Sequence, residues 1–210
     1  MMEEPSPQPP RTESPVVQGF LVVAALAVVM WLVEIADQVA GGRLDRHGIE
    51  PRELDGLDGI VFAPFLHGGF DHLIGNTIPF LLLGFAIALG GAMRVALVTV
   101  IVAFVGGLGT WLIAPANTVH IGASGIVFGY AAYLVARGAY TRSVMQIGLG
   151  LVVLAVWGTT LLRGLVPEDG ISWQGHLFGA VGGVVAARLL HRRAVARGDE
   201  GPAAHQLSRI

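Results

Sequence analysis

Six apolar stretches dominate the chain, near Val16–Ile35, His72–Leu89, Val95–Ala114, Ala123–Ala136, Met145–Leu162 and His176–Leu190, and Glu34 and Arg188 are the only formally charged residues inside them. A bilayer's hydrocarbon core takes about 20 apolar residues per helix. Runs of this kind leave few folds open. A spanning segment must satisfy its own backbone hydrogen bonds, so the expected fold class is an all-α membrane protein with a bundle of six transmembrane helices. The fourth and sixth stretches are short for a full span, so their ends are expected to overrun these limits or to lie in thin bilayer or a water-filled cavity.

Composition agrees. Of 210 residues, 53% are hydrophobic and 13% charged, and the charged share is about half that of a soluble domain. No polar stretch is long enough for a second domain, and no accessory soluble module is expected. The absence of cysteine excludes disulfides, thiol catalysis and thiolate metal sites. All 13 basic residues are arginine; codon bias is a sufficient explanation. No basic stripe suggests nucleic acid.

Residues 1–15, MMEEPSPQPPRTESP, are polar and proline-rich and are expected to be a disordered tail. Residues 16–190 form the expected helical domain, and 191–210 an Arg-rich tail. Arg94, Arg137 and Arg142 fall in even-numbered connections, and Arg188, at the end of the sixth stretch, joins Arg192, Arg193, Arg197 and Arg209 of the tail, on the same side as Arg11. The first and fifth connections carry Asp37, Asp45, Glu50, Glu53, Asp55, Asp58, Asp71, Glu168 and Asp169 beside a few arginines. Basic residues stay in the cytoplasm, so both termini are expected there. The long first connection holds an apolar piece, GIVFAPFLHGGF, expected to lie on the membrane or on the bundle. No internal repeat marks an inverted-repeat transporter.

Polar groups at membrane depth are costly and need a reason. In FDHLIGNTIPF, His72 and Asn76 are four apart and share a helical face. An interfacial histidine and an interhelical asparagine would explain them singly; together they are two hydrogen-bond donors aimed one way. Asp71 reads as a helix N-cap. The fourth stretch opens IGASGIVFGY, where Gly122 and Gly125 leave the Ser124 hydroxyl approachable, and Gly125 and Gly129 make a small-xxx-small face. The sixth reads SWQGHLFGAVGGVV, with His176 at its start and Gly179 and Gly183 in the same spacing. If the two glycine faces pack, Ser124 meets His176 near the outer end of the bundle. An alcohol beside a neutral imidazole is an activated nucleophile. No carboxylate lies inside a relevant helix, since Glu34 is at the outer end of the first, so a Ser–His dyad is expected rather than a triad. The Ser124 backbone N–H and the side chains of His72 and Asn76 remain as oxyanion donors.

These motifs resemble those of the rhomboid family of intramembrane serine proteases: H-x-x-x-N as His72-LIG-Asn76, G-x-S-G as Gly122-Ala-Ser124-Gly125, and H-x-x-G-x-x-x-G as His176-LF-Gly179-AVG-Gly183. FLHGGFDHL also resembles the family's stretch before the second helix, with a histidine at His67. The resemblance covers about residues 16–190. It implies a six-helix core in a bacterial cell membrane, Ser124 as nucleophile, His176 as general base, His72 and Asn76 on the oxyanion, and transmembrane segments of membrane proteins as substrates. It implies no cofactor and no metal. Phe128 stands where the family often has an aromatic ring, commonly tyrosine, against the catalytic histidine. The fifth stretch, MQIGLGLVVLAVWGTTLL, would be the substrate gate. The Trp-Arg pair that many members carry in the first loop is missing from ELDGLDGIVFAPFLH. Two other readings stay open. One is a rhomboid-like protein that binds helices without cutting them. The other is a metal or haem protein using His67, His72, His120 and His176, for which His67 and His120 read more easily as loop or interfacial residues.

Overall fold

The computed structural model describes residues 13–168 and 170–198. Seven α-helices run in the order α1 (Pro15–Ala40), α2 (Gly59–Phe62), α3 (Phe70–Ala88), α4 (Ala92–Ile113), α5 (Ser124–Thr141), α6 (Val144–Arg163) and α7 (Trp173–Arg197). Among the described residues there is no strand, only an isolated antiparallel bridge between Ile49 and His120. Six helices are long and α2 is a single turn. Four of them, α1, α3, α4 and α6, are long and apolar enough to cross a membrane.

Local chemistry sets the helix ends. Ser14 accepts from the Val17 N–H, Pro15 occupies the first turn, and Gly41 closes α1 in the left-handed region. Helix α7 is capped by the Ser172 hydroxyl on the Gly175 N–H and closed by left-handed Gly198. Asp71 is not the cap of α3. Gly69, at φ +120°, holds that position, and Asp71 lies inside the first turn. The stretch FDHLIG reads as Asp-capped only because the φ of a glycine is invisible in sequence.

The apolar stretches match the long helices, with altered limits. Helix α5 runs five residues beyond Ala136, and α7 continues to Arg197. The expected Arg-rich tail is therefore helical over 191–197, because arginine and alanine are good helix formers. At the other end Pro15 is already helical; residues 1–12 of the expected disordered tail, and 199–210 of the Arg-rich one, lie outside the described residues.

Helices α5 and α7 are the inner pair. They run parallel, and their glycines allow backbone contact. A Cβ on Gly179 would strike the Gly125 carbonyl, and one on Gly183 the Gly129 carbonyl. Helix α4 closes on α7 in the same way: a Cβ on Gly106 would lie 3.3 Å from the Gly179 Cα, and one on Gly182 3.0 Å from the Val102 Cα. Tyr130, fully buried, joins α5 to its neighbours by stacking on Phe80 (5.5 Å) and by a 2.6 Å hydrogen bond to Thr99.

The outer helices carry apolar side chains outward, among them Leu32 and Val156, each 60% exposed. Soluble monomers rarely show apolar faces on this scale, and lipid is what would cover them. Helix α6 is the most loosely held long helix, with only Gly150 and Val153 buried. The apolar piece of the first connection packs on the bundle: Ile60 fits into the space left by Gly107 of α4, and Ala63 and Leu66 are buried.

Candidate active site

Parallel packing of α5 and α7 puts Ser124, the first residue of α5, beside His176 in the first turn of α7. The Ser124 Oγ and His176 Nε2 are 2.8 Å apart. The other ring nitrogen fixes the direction of this bond. His176 Nδ1 lies 2.7 Å from the Gly164 carbonyl oxygen, which can only accept. Nδ1 therefore carries the hydrogen. In a neutral ring Nε2 is then a bare lone pair, and the Ser124 hydroxyl donates to it. A backbone carbonyl does here what a carboxylate does in a triad, fixing tautomer and orientation.

Phe128, one turn after Ser124, lies flat on the imidazole at 4.1 Å and 6°. The ring is held between this face and α6. A Cβ on Gly164 would come within 2.5 Å of Phe128 Cζ and 2.9 Å of His176 Nδ1, so glycine at the end of α6 leaves room for both rings. Gly164 belongs to the site although sequence reasoning missed it. Its signal would have been a glycine closing an apolar helix, which many helices share.

The donors expected on helix two lie against Gly122, two residues before Ser124. His72 Nδ1 accepts a long bond, 3.4 Å, from the Gly68 N–H. Nε2 of the neutral ring then carries the hydrogen. It lies against Gly122, 2.7 Å from where a Cβ of that residue would stand, and Asn76 Nδ2 is 3.6 Å from the same point. Asn76 is 6% exposed, and its Nδ2 is buried without a hydrogen-bond partner. A buried unpaired donor costs roughly 1–3 kcal/mol. Gly122, at φ +109°, lets the His72 ring come this close, so both its backbone conformation and its missing side chain matter. The Ser124 N–H starts α5 and has no carbonyl one turn back within the helix. The site thus brings two side-chain donors against Gly122, two residues before Ser124, and a hydroxyl onto a lone pair.

His67 is not the interfacial residue the sequence suggests. It is fully buried, and its Nε2 accepts from the Ala123 N–H at 3.3 Å, immediately before the serine. Burial pushes its pKa down to about 4, the nearby His72 ring adds to this, and the Phe65 backbone works against it. It stays neutral and keeps its acceptor. With the Gly122 N–H on the Ala63 carbonyl (2.8 Å), it ties the serine loop to the first connection. His120 is a loop residue whose two nitrogens meet Thr118 Oγ1 (2.9 Å) and Ser172 Oγ (2.7 Å), and burial lowers its pKa. The Thr118 hydroxyl is 2.6 Å from the Pro115 carbonyl and donates to it, so His120 Nε2 donates to Thr118 and Nδ1 receives the Ser172 hydroxyl.

The first connection, without a Trp-Arg pair in sequence, is anchored by residues from two elements. The Arg52 guanidinium reaches the Leu112 and Ala114 carbonyls (3.2 and 2.7 Å), and Trp111 of α4 donates to the Glu53 carbonyl (2.8 Å). A cavity of about 50 Å³ opens beside Ser124, lined in part by Thr110, His120 and Ser172. A single water needs roughly 10–15 Å³ of such space.

Residues 56–193 match the family model described as Rhomboid domain, well over half of the chain. The chain belongs to the rhomboid family. An uncharacterized protein of Mycobacterium tuberculosis is 48% identical over 183 residues, 83% of this chain and 76% of that one. One of Mycobacterium leprae is 44% identical over 181 residues, 82% and 71% of the two chains. A Bacillus subtilis protein named "Putative rhomboid protease YdcA" is 28% identical over 173 residues, 81% and 80%. Rhomboids are in general intramembrane serine proteases that act on membrane proteins, and with its apolar helices this member is a multi-pass membrane protein.

Proposed function

We propose that this rhomboid is an active serine endopeptidase that cleaves transmembrane segments of membrane proteins near the outer face of the cell membrane. The observation that carries the reading is the 2.8 Å contact between Ser124 Oγ and His176 Nε2, with Nδ1 held by Gly164. The Ser124 hydroxyl attacks the scissile carbonyl as its proton passes to Nε2. The oxyanion that forms beside Gly122 is held by His72 Nε2–H, Asn76 Nδ2 and the Ser124 N–H. The imidazolium then protonates the departing amine, and the acyl group stays on Ser124. Water deprotonated by His176 attacks the ester, and collapse returns the proton to Ser124. Each oxyanion donor is worth ~3–4 kcal/mol in such a step.

In this reading all six long helices cross the membrane. Helices α5 and α7 miss the apolarity of the other four because they are wrapped by them, and both termini face the cytoplasm. Helix α6 is the element that yields to substrate, being held by so little.

The test is cleavage in proteoliposomes. A model single-pass substrate with helix-breaking residues near its outer end is co-reconstituted with wild type, Ser124→Ala or His176→Ala, and the products are mapped by mass spectrometry. One cut near the outer membrane boundary, lost in both variants, supports the proposal. Folded wild type that leaves a panel of such substrates intact contradicts it.

A further inference from the structure

The end of the bundle remote from Ser124 carries charge that the chemistry does not use. Helix α7 has 25 residues, about 37 Å at 1.5 Å per residue, longer than a hydrocarbon core of about 30 Å. Its last three turns expose Arg188, Arg192, Arg193 and Arg197. Two neighbours end at the same level. Tyr140, near the end of α5, stacks on His191 of α7 at 6.1 Å, which places exposed Arg142 alongside. Helix α4 runs the other way, and Val102 faces Gly182. Arg94 stands eight residues before Val102 and so lies level with the residues eight beyond Gly182. Among the described residues, Glu13 is the one acid in the sequence at this end. The tails add Glu3, Glu4, Asp199 and Glu200 against Arg11 and Arg209, and the surplus stays positive.

We propose that these arginines form a binding belt for the phosphates of anionic phospholipids, and that the belt sets how deep the active site sits. Charge complementarity carries the choice of occupant. The residues ring helices whose flanks are apolar, so the surface that meets them is a headgroup layer. Guanidinium suits the task because its fork bonds a phosphate through two N–H groups. The depth follows from helix geometry. His176 lies 12 residues before Arg188 and 16 before Arg192, so about 18 and 24 Å above the belt. With the Arg188–Arg192 turn at the inner edge of a 30 Å core, and Arg193 and Arg197 in the headgroups beyond it, the Ser124–His176 pair lies roughly 6–12 Å inside the outer edge.

The test is native mass spectrometry of the full chain in neutral detergent, titrated separately with dioleoyl phosphatidylglycerol, dioleoyl phosphatidylcholine and inorganic phosphate. Wild type is expected to retain the anionic lipid at a concentration at least fivefold lower than the zwitterionic one. Each of Arg188→Gln and Arg192→Gln should weaken that preference about fivefold. The Arg188→Lys/Arg192→Lys pair should keep part of it, and Arg163→Gln, at the opposite end, should keep all. Equal retention of the two lipids overturns the proposal. So does inorganic phosphate binding as well as the lipid, which would mark a soluble-anion site, or a loss as large in Arg163→Gln as in the α7 variants.

Discussion

Gly164→Ala tests the account of His176 more sharply than removal of the histidine, because it leaves every polar group in place. The backbone of Gly164 is right-handed helical, φ −65° and ψ −9°, so alanine is not strained there. The effect comes from the added methyl alone, 2.5 Å from Phe128 Cζ and 2.9 Å from His176 Nδ1. Carbon atoms rest at about 3.5–4.0 Å, so the Phe128 ring must retreat by about 1 Å. The imidazole lies flat against that ring and faces the methyl itself, and it cannot hold its place. A 1 Å shift takes the 2.7 Å bond to the Gly164 carbonyl beyond hydrogen-bond range and frees the tautomer. Misplacement on this scale costs about 10²-fold in rate, and overpacking costs ~1–3 kcal/mol of stability. The assay is the rate of labelling by a fluorophosphonate probe in detergent, with melting temperature measured alongside. Gly158→Ala is the control, since nothing lies within 4 Å of its Cβ. A Gly164→Ala protein that labels within twofold of wild type would refute the claim that this carbonyl and this gap hold the base.

Three further outcomes are expected. Asn76→Ala removes a buried donor that has no partner in the resting site, so it should lower turnover about 10²–10³-fold while the melting temperature holds or rises, measured on a cleavable transmembrane substrate. Gly179→Ala should lose both labelling and cooperative unfolding, because the rigid Gly125 carbonyl blocks the methyl and the inner helix pair must part. Asp45, in the first connection, has its carboxyl raised to about 6 by burial and by Asp37 and Glu34. In the unfolded chain it ionises near 3.9. The native state therefore holds a proton that the unfolded state has lost, and stability falls as pH rises from about 4 through 6. Thermal melts in detergent should show Asp45→Asn matching wild type at pH 4 and more stable at pH 7.

The sequence made legible those parts of the site that depend on spacing within one helix. His72 and Asn76 share a face because they are four apart, and Gly125/Gly129 and Gly179/Gly183 declare a close helix pair. The apolar stretches likewise placed the long helices. What remained hidden depends on contacts between distant elements or on backbone angles. Gly164 acts through a carbonyl, which every residue has, and only the fold brings it to His176. The burial of His67 follows from the first connection folding back onto the serine loop. The split clasp of Arg52 and Trp111 joins residues 59 positions apart in chain number. Ends were misjudged where apolarity and helicity part company: α7 stays helical through its arginines although it stops being apolar at Leu190.

The most direct measurement is the site of fluorophosphonate attachment, read by mass spectrometry of the labelled protein. The structure supplies a built-in rival, since the Ser172 hydroxyl also donates to an imidazole nitrogen, that of His120, at 2.7 Å. The account predicts one adduct, on Ser124, formed by wild type and absent from His176→Ala. An adduct on Ser172, or one on Ser124 that forms as fast without His176, would contradict it.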